Sequence, residues 1–134
     1  TNTEPSKYHV AYTVLAEEYF KKRYFSRTVN IFNAIPEESR TYNINLIGAK
    51  SLYRTKQFDK AIDQLEKLSL EDDDKYMLAK AYAITKRNNK AKEQLKYLIS
   101  NDKYLKWAKR DWWLKKILVL IEKEKKEQDN SSSP

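Results

Sequence analysis

Apolar residues recur along the chain with the three- and four-residue spacing of amphipathic helices. These segments come in pairs, and a short polar turn separates the two members of each pair. The turns are centred on Lys22-Arg23, Lys56-Gln57 and Arg87-Asn88. The pattern therefore predicts three helical hairpins in succession.

Small residues recur at fixed positions within these hairpins. Leu15-Ala16, Gly48-Ala49 and Leu78-Ala79 follow one another at intervals of 33 and 30 residues, and twelve positions after each alanine another small side chain appears, at Thr28, Ala61 and Ala91. Large apolar residues come four and seven positions later, at Phe32, Leu65, Leu95, Ile35, Leu68 and Leu98. A small residue where two helices cross lets their axes approach to about 8 Å.

A single hairpin cannot cover its own apolar face, so successive hairpins are expected to stack and share a core. We therefore predict an all-α fold, a right-handed α-solenoid of three hairpins with repeats at about 9–41, 42–71 and 72–101. The acidic run at 71–74 is typical of a helix start, where carboxylates meet the positive end of the helix dipole.

The chain beyond the third hairpin has no glycine or proline until its last residue. After a predicted cap at Asn101-Asp102, we expect one C-terminal capping helix over about 102–127. The repeats and this helix would form a single domain over 1–127. The polar, serine-containing segment 128–134 is predicted to be a disordered tail.

The arrangement resembles the tetratricopeptide repeat (TPR), a helical hairpin with a large-then-small residue pair in its first helix. An aromatic residue follows that pair, as Tyr19 and Tyr82 do here, and a small residue opens the second helix. The early-helix tryptophan of the family is replaced by Tyr12, Asn45 and Lys75, and the turn glycines are absent. The resemblance implies a non-catalytic scaffold for protein–protein interaction.

A further resemblance concerns the segments Ile35-Pro36-x-x-x-Arg40-Thr41-x-x-Ile44-Asn45 and Lys75-Tyr76-x-Leu78-Ala79-Lys80. Both are similar to the amino-terminal TPR domains of anaphase-promoting complex subunits. Those domains form homodimers within a large ubiquitin ligase complex of the cell cycle. This resemblance implies a homodimer and a place in a larger assembly.

In TPR proteins the first helix of each hairpin lines a concave surface that receives the partner. Helical spacing of three and four identifies the residues that would point into such a groove. An apolar floor interrupted by Lys50 and Lys80 is typical of a site for a helix or an extended segment with apolar anchors and acidic residues. The predicted partner groove consists of Val10, Thr13, Glu17, Phe20, Asn43, Leu46, Lys50, Tyr53, Tyr76 and Lys80.

The segment 112–121 has eight apolar residues in ten, more than one buried helix face needs. Covering one side would use Leu114, Ile117 and Ile121. The apolar excess predicts self-association, as a dimer, through Trp112, Trp113, Leu118 and Val119. The next repeat of a longer protein, or the stack folding back on itself, would cover the same residues.

Composition argues against catalysis and cofactors. The chain has no cysteine and a single histidine, His9, so it has no disulfide, thiolate nucleophile, cysteine zinc site or multi-histidine metal site. We find no nucleophile–base pair and no phosphate loop, and predict neither catalytic, cofactor-binding nor metal-binding residues. Without a signal-peptide pattern or an apolar run long enough for a membrane span, we expect an intracellular protein of the cytoplasm or nucleus.

The distribution of charged residues indicates an alternative function. The chain carries +8, and the segment 75–116 alone has thirteen basic residues against three acidic ones, a balance of +10. This balance is typical of a basic helical protein that binds nucleic acid or an anionic surface through 86–116. Because the lysines recur at mixed helical phases and no nucleic-acid motif accompanies them, protein partners are the favoured prediction and nucleic acid the less favoured one.

Overall fold

The computed structural model describes residues 5–131, and all of the regular secondary structure in that range is helical. Eight α-helices and one 3-10 turn, Glu37–Ser39, account for it, with no strand among the described residues. The predicted all-α class is confirmed. The helices are α1 (Pro5–Lys21), α2 (Phe25–Ala34), α3 (Tyr42–Arg54), α4 (Phe58–Leu65), α5 (Asp72–Ile84), α6 (Asn88–Leu98), α7 (Asp102–Arg110) and α8 (Leu114–Ser131).

The helices group into two compact units, Thr1–Ser69 (unit 1) and Leu70–Pro134 (unit 2). In unit 1, α1 packs on α2 and α3 packs on α4, while α3 also contacts α1 and α2. In unit 2, α5 packs on α6, and α8 packs on α5, α6 and α7. Each unit therefore has a core of its own, built around at least one helical hairpin.

The small residues of the repeat lie in the interior of the protein. Ala16, Ala49, Ala61, Ala79 and Ala91 are completely buried, and so is Thr28. The large apolar residues that follow them are buried as well, except for the half-buried Leu68. The register predicted from residue size alone is therefore confirmed at these positions.

Each hairpin turn ends its first helix with the same backbone motif. Arg23, Lys56 and Lys86 have φ of 64°, 65° and 63°, in the left-handed region. The residue after each of them donates its N–H to a carbonyl five positions back, as from Gln57 to Leu52 at 2.8 Å. This is the Schellman motif, in which glycine is the usual left-handed residue.

The predicted capping helix over 102–127 is wrong in one respect, since it is two helices. The Asp111 carboxylate oxygen Oδ1 accepts the N–H groups of Trp113 and Leu114, both at 2.9 Å, and so caps a new helix, α8. The tail prediction is also wrong for 128–131, which continue α8 to Ser131. Residues 132–134 of that predicted tail lie outside the described residues.

Candidate partner-binding site

Five of the predicted groove residues line one cleft in unit 1. They come together because α1 and α3, the first helices of successive hairpins, contact each other directly. The cleft has a volume of about 220 Å³. Its lining consists of Glu17, Phe20, Lys21, Asn43, Leu46, Ile47 and Lys50.

Apolar and charged groups alternate in this α1–α3 cleft. Phe20 and Leu46 are half-buried and supply apolar surface. The Phe20 ring also packs edge-on against Phe25, at 5.8 Å between ring centroids. The Asn43 amide donates a hydrogen bond to Glu17 at 3.3 Å and so connects the two helices. Lys50 supplies a half-buried cation. The cleft thus combines apolar contacts with charges of both signs.

Three other predicted groove residues of unit 1 lie outside this cleft. Val10 and Thr13 line a second, more apolar cleft of about 380 Å³, together with His9, Val14, Ser39 and Thr41. Val10 and Val14 are largely exposed there. Tyr53 is half-buried, packs against the core cluster of unit 1 and meets the Phe58 ring edge-on at 5.3 Å.

The two predicted groove residues of unit 2 are engaged by other parts of that unit. The Tyr76 ring stacks on Tyr104 at 5.9 Å and meets Trp107 edge-on at 5.3 Å, so α7 covers it. The Lys80 ammonium forms an ion pair with Asp111 Oδ2 at 2.8 Å. This part of the predicted groove is therefore occupied by the chain itself, through a helix that the sequence did not separate from α8.

Asp73 has a role in unit 2 that the sequence prediction missed. Its Oδ1 accepts hydrogen bonds from the Tyr104 hydroxyl at 2.7 Å and from the Lys103 ammonium at 2.9 Å, which ties α7 to the first turn of α5. Hydrogen bonding to Asp73 is the main reason that the pKa values of Tyr104 and Lys103 are raised. The interaction joins positions 30 and 31 residues apart, and no local pattern indicates it.

The residues predicted to mediate self-association divide into two pairs. Trp112 and Val119 are exposed, at 56% and 66%, whereas Trp113 and Leu118 are half-buried. The residues predicted to form the inner side of this helix are Leu114, Ile117 and Ile121, and all three are buried. The predicted inner side of α8 is therefore confirmed, and self-association through the other four residues stays a prediction.

The neighbouring carboxylates of Glu17 and Glu18 have different partners. Glu17 bonds to Asn43, whereas its neighbour Glu18 lies 3.7 Å from Lys21 on the exposed side of α1. Within residues 5–131 there is no group of three or more acidic or histidine side chains placed to hold a metal ion. Nor does that range contain a helix both long and apolar enough to cross a membrane.

Comparisons of the chain with protein-family models, with curated proteins and with solved structures gave no match.

Proposed function

We propose that this chain is a non-catalytic scaffold that binds other proteins through the α1–α3 cleft of unit 1. The observation that carries the proposal is the convergence of Glu17, Phe20, Asn43, Leu46 and Lys50 on one cleft. Half-buried apolar groups next to fixed charges bind peptide segments with apolar anchors. The preferred ligand is a short segment with two apolar side chains and an acidic residue that pairs with Lys50.

We also propose an architecture for the scaffold. Its three TPR-like hairpins would stack as a right-handed α-solenoid, because each hairpin has an apolar side that it cannot cover alone. Support comes from the repeat interval, since the buried alanines and the left-handed turn residues are both 33 and then 30 residues apart. Such a module belongs in a multiprotein assembly of the cytoplasm or nucleus, and an anaphase-promoting complex remains the assembly that the sequence resemblance implies.

Self-association is a second part of the proposal. The exposed Trp112 and Val119 on unit 2 would be covered by the same residues of another copy, giving a homodimer. Light scattering at micromolar concentration measures this directly. A monomer over the whole accessible concentration range would contradict self-association and leave the cleft proposal standing.

The cleft is tested with selected peptides. A displayed peptide library is panned against the chain, and the selected peptides are measured by calorimetry against the wild type, Lys50→Glu and Lys60→Glu. Lys60 is an exposed lysine of α4 outside the cleft and provides the matched charge reversal.

We expect Lys50→Glu to weaken binding about tenfold or more, because a charge that should attract the ligand would repel it, and Lys60→Glu to change it by less than about twofold. Selected peptides without acidic residues, or equal losses in the two variants, would contradict the proposed site.

A further inference from the structure

The structure divides the basic residues of 75–116 into two sets. Members of the first set are engaged inside unit 2: the ammonium group of Lys80 lies 2.8 Å from Asp111, that of Lys103 lies 2.9 Å from Asp73, and Lys92 and Lys96 both pair with Glu124, at 2.7 and 2.6 Å. Lys75, Arg87 and Lys90 also have partners within the chain. These residues stabilise the fold, which explains why the lysines occur at mixed helical phases.

The second set consists of exposed cations, and all but one of them cluster where α7 meets α8. None of them forms an ion pair with another residue of the described range. Lys86 stands apart, at the turn of the third hairpin. The others, which we call the junction cations, are Lys106, Lys109, Arg110, Lys115 and Lys116.

The geometry of the junction leaves this charge uncompensated. Lys106, Lys109 and Arg110 are three and four residues apart and therefore lie on one side of α7. The single acidic residue between Lys106 and Lys116 is Asp111, whose side chain is only 11% exposed because it caps α8 and pairs with Lys80. No carboxylate of that segment is left at the surface to offset the five cations.

Two exposed indole rings adjoin the junction cations. Trp107 is 43% exposed and Trp112 is 56% exposed. Lysine ammonium groups lie over both rings, Lys103 at 4.9 Å from the Trp107 centroid and Lys116 at 3.6 Å from that of Trp112. Each indole thus has a lysine ammonium group over its ring, and one of these lysines, Lys116, is a junction cation.

We propose that the junction cations and the two indoles bind single-stranded nucleic acid. A single strand offers unstacked bases for the indoles and a phosphate at every nucleotide for the cations, and base–aromatic stacking tolerates any sequence. An acidic peptide would satisfy the cations without using the indoles, and a duplex keeps its bases inside the helix. This site is independent of the α1–α3 cleft of unit 1, and it shares Trp112 with the proposed homodimer contact, so a single strand and a second copy would compete for that ring.

The test measures binding of a fluorescein-labelled single-stranded oligonucleotide of about 20 nucleotides by anisotropy, from about 50 to about 200 mM salt. The full chain is compared with the triple variant Lys106→Gln/Lys109→Gln/Arg110→Gln. A triple variant of equal charge, Lys22→Gln/Lys60→Gln/Lys125→Gln, alters exposed lysines elsewhere and serves as the control. Both triples leave the predicted self-association residues intact. A third variant, Trp112→Leu, tests stacking and is measured at a protein concentration below that at which light scattering detects a dimer.

We expect the junction triple to weaken binding more than about tenfold at low salt and the control triple less than about threefold. Each phosphate contact on a single strand contributes about 0.7 to the slope of log K against log salt concentration, so the junction triple should reduce that slope by about 2. Trp112→Leu should weaken binding about fivefold or more and leave the slope unchanged, because stacking releases no counterions.

Three results would overturn the proposal. The first is an equal loss of affinity in the two triple variants. The second is binding to inorganic polyphosphate of the same charge as tight as binding to the oligonucleotide, since polyphosphate has no bases to stack. The third is binding to phosphatidylserine-containing vesicles with none to the oligonucleotide, which would assign the surface to a membrane instead.

Discussion

Gly48 leaves no room for a β-carbon against the ring of Phe32. A β-carbon built on residue 48 would lie 2.3 Å from Cδ1 of that ring, well inside contact distance. The ring cannot easily move, since Phe32 is 2% exposed and the Arg40 guanidinium covers it at 4.0 Å. Arg40 is itself held by a hydrogen bond from Nε to the Ile35 carbonyl at 2.9 Å. The single glycine of the chain thus sets how closely α3 approaches α2.

Gly48→Ala should therefore lower the free energy of unfolding. Alanine gains about 0.5–1 kcal/mol of helix propensity, but overpacking a core typically costs about 1–3 kcal/mol. Urea denaturation measures the difference. Phe32→Leu provides the control: in the double variant the loss should be smaller than the sum of the two single losses, because a smaller side chain relieves the contact. An alanine variant more stable than the wild type would contradict the close approach.

Replacing the left-handed turn residues by glycine should stabilise the protein, in contrast to the change at Gly48. A non-glycine residue in this conformation costs about 1–2 kcal/mol, whereas glycine adopts it freely and loses some backbone entropy instead. Lys56→Gly and Lys86→Gly should each raise the free energy of unfolding by about 0.5–1 kcal/mol. Lys60→Gly, inside α4, is the control and should lower it by about 1 kcal/mol. Loss of stability in all three variants would show that the turns are not left-handed.

The repeat was predictable because side-chain size and hydrophobic spacing are local properties of the sequence. Ala49 and Ala61 could be placed in one helix contact from their intervals alone, and both are buried. The break between α7 and α8 contains neither glycine nor proline, the usual signals for a helix end, so the sequence predicts one helix there. The available signal was Asp111 ahead of an apolar run, which is typical of a helix N-cap.

The cleft residues could likewise be predicted where local spacing determines their position, and not where long-range contacts do. Helical spacing alone predicts four residues of the α1–α3 cleft, because it puts them on one side of α1 or of α3. They are Glu17, Phe20, Leu46 and Lys50. Tyr76 was expected in the groove too, and α7 covers it. That contact depends on where α7 ends and on the long-range hydrogen bonds of Asp73. No local sequence pattern predicts either feature.

Asp111 should be one of the most sensitive polar positions of unit 2, since it caps α8 and pairs with Lys80 at once. Asp111→Ala removes both interactions and should lower the free energy of unfolding by about 1–2 kcal/mol or more. Asp111→Asn keeps an oxygen for the cap and loses the ion pair, so its loss should be clearly smaller. Thermal melts of the two variants measure this. Equal losses would assign the stabilisation to the ion pair alone.

Glu124 joins α8 to α6 and makes unit 2 sensitive to acid. It pairs with Lys92 at 2.7 Å and with Lys96 at 2.6 Å. Hydrogen bonding by Lys92, and next by Lys96, lowers the pKa of the Glu124 carboxyl below its usual value of 4.5. A lowered pKa means that the folded state favours the charged carboxylate. The stabilisation is therefore fully present above pH 4.5 and is lost as the pH falls through the folded-state pKa.

Glu124→Gln isolates this contribution, because glutamine has a similar shape and no charge to lose. The melting temperature of the wild type should exceed that of the variant near neutral pH, and the gap should narrow as the pH falls below 4.5. Glu122→Gln, at an exposed position of the same helix, should follow the wild type throughout. A gap of constant size down to about pH 3 would mean that Glu124 contributes through packing alone, because protonating the carboxylate would then change nothing that folding depends on.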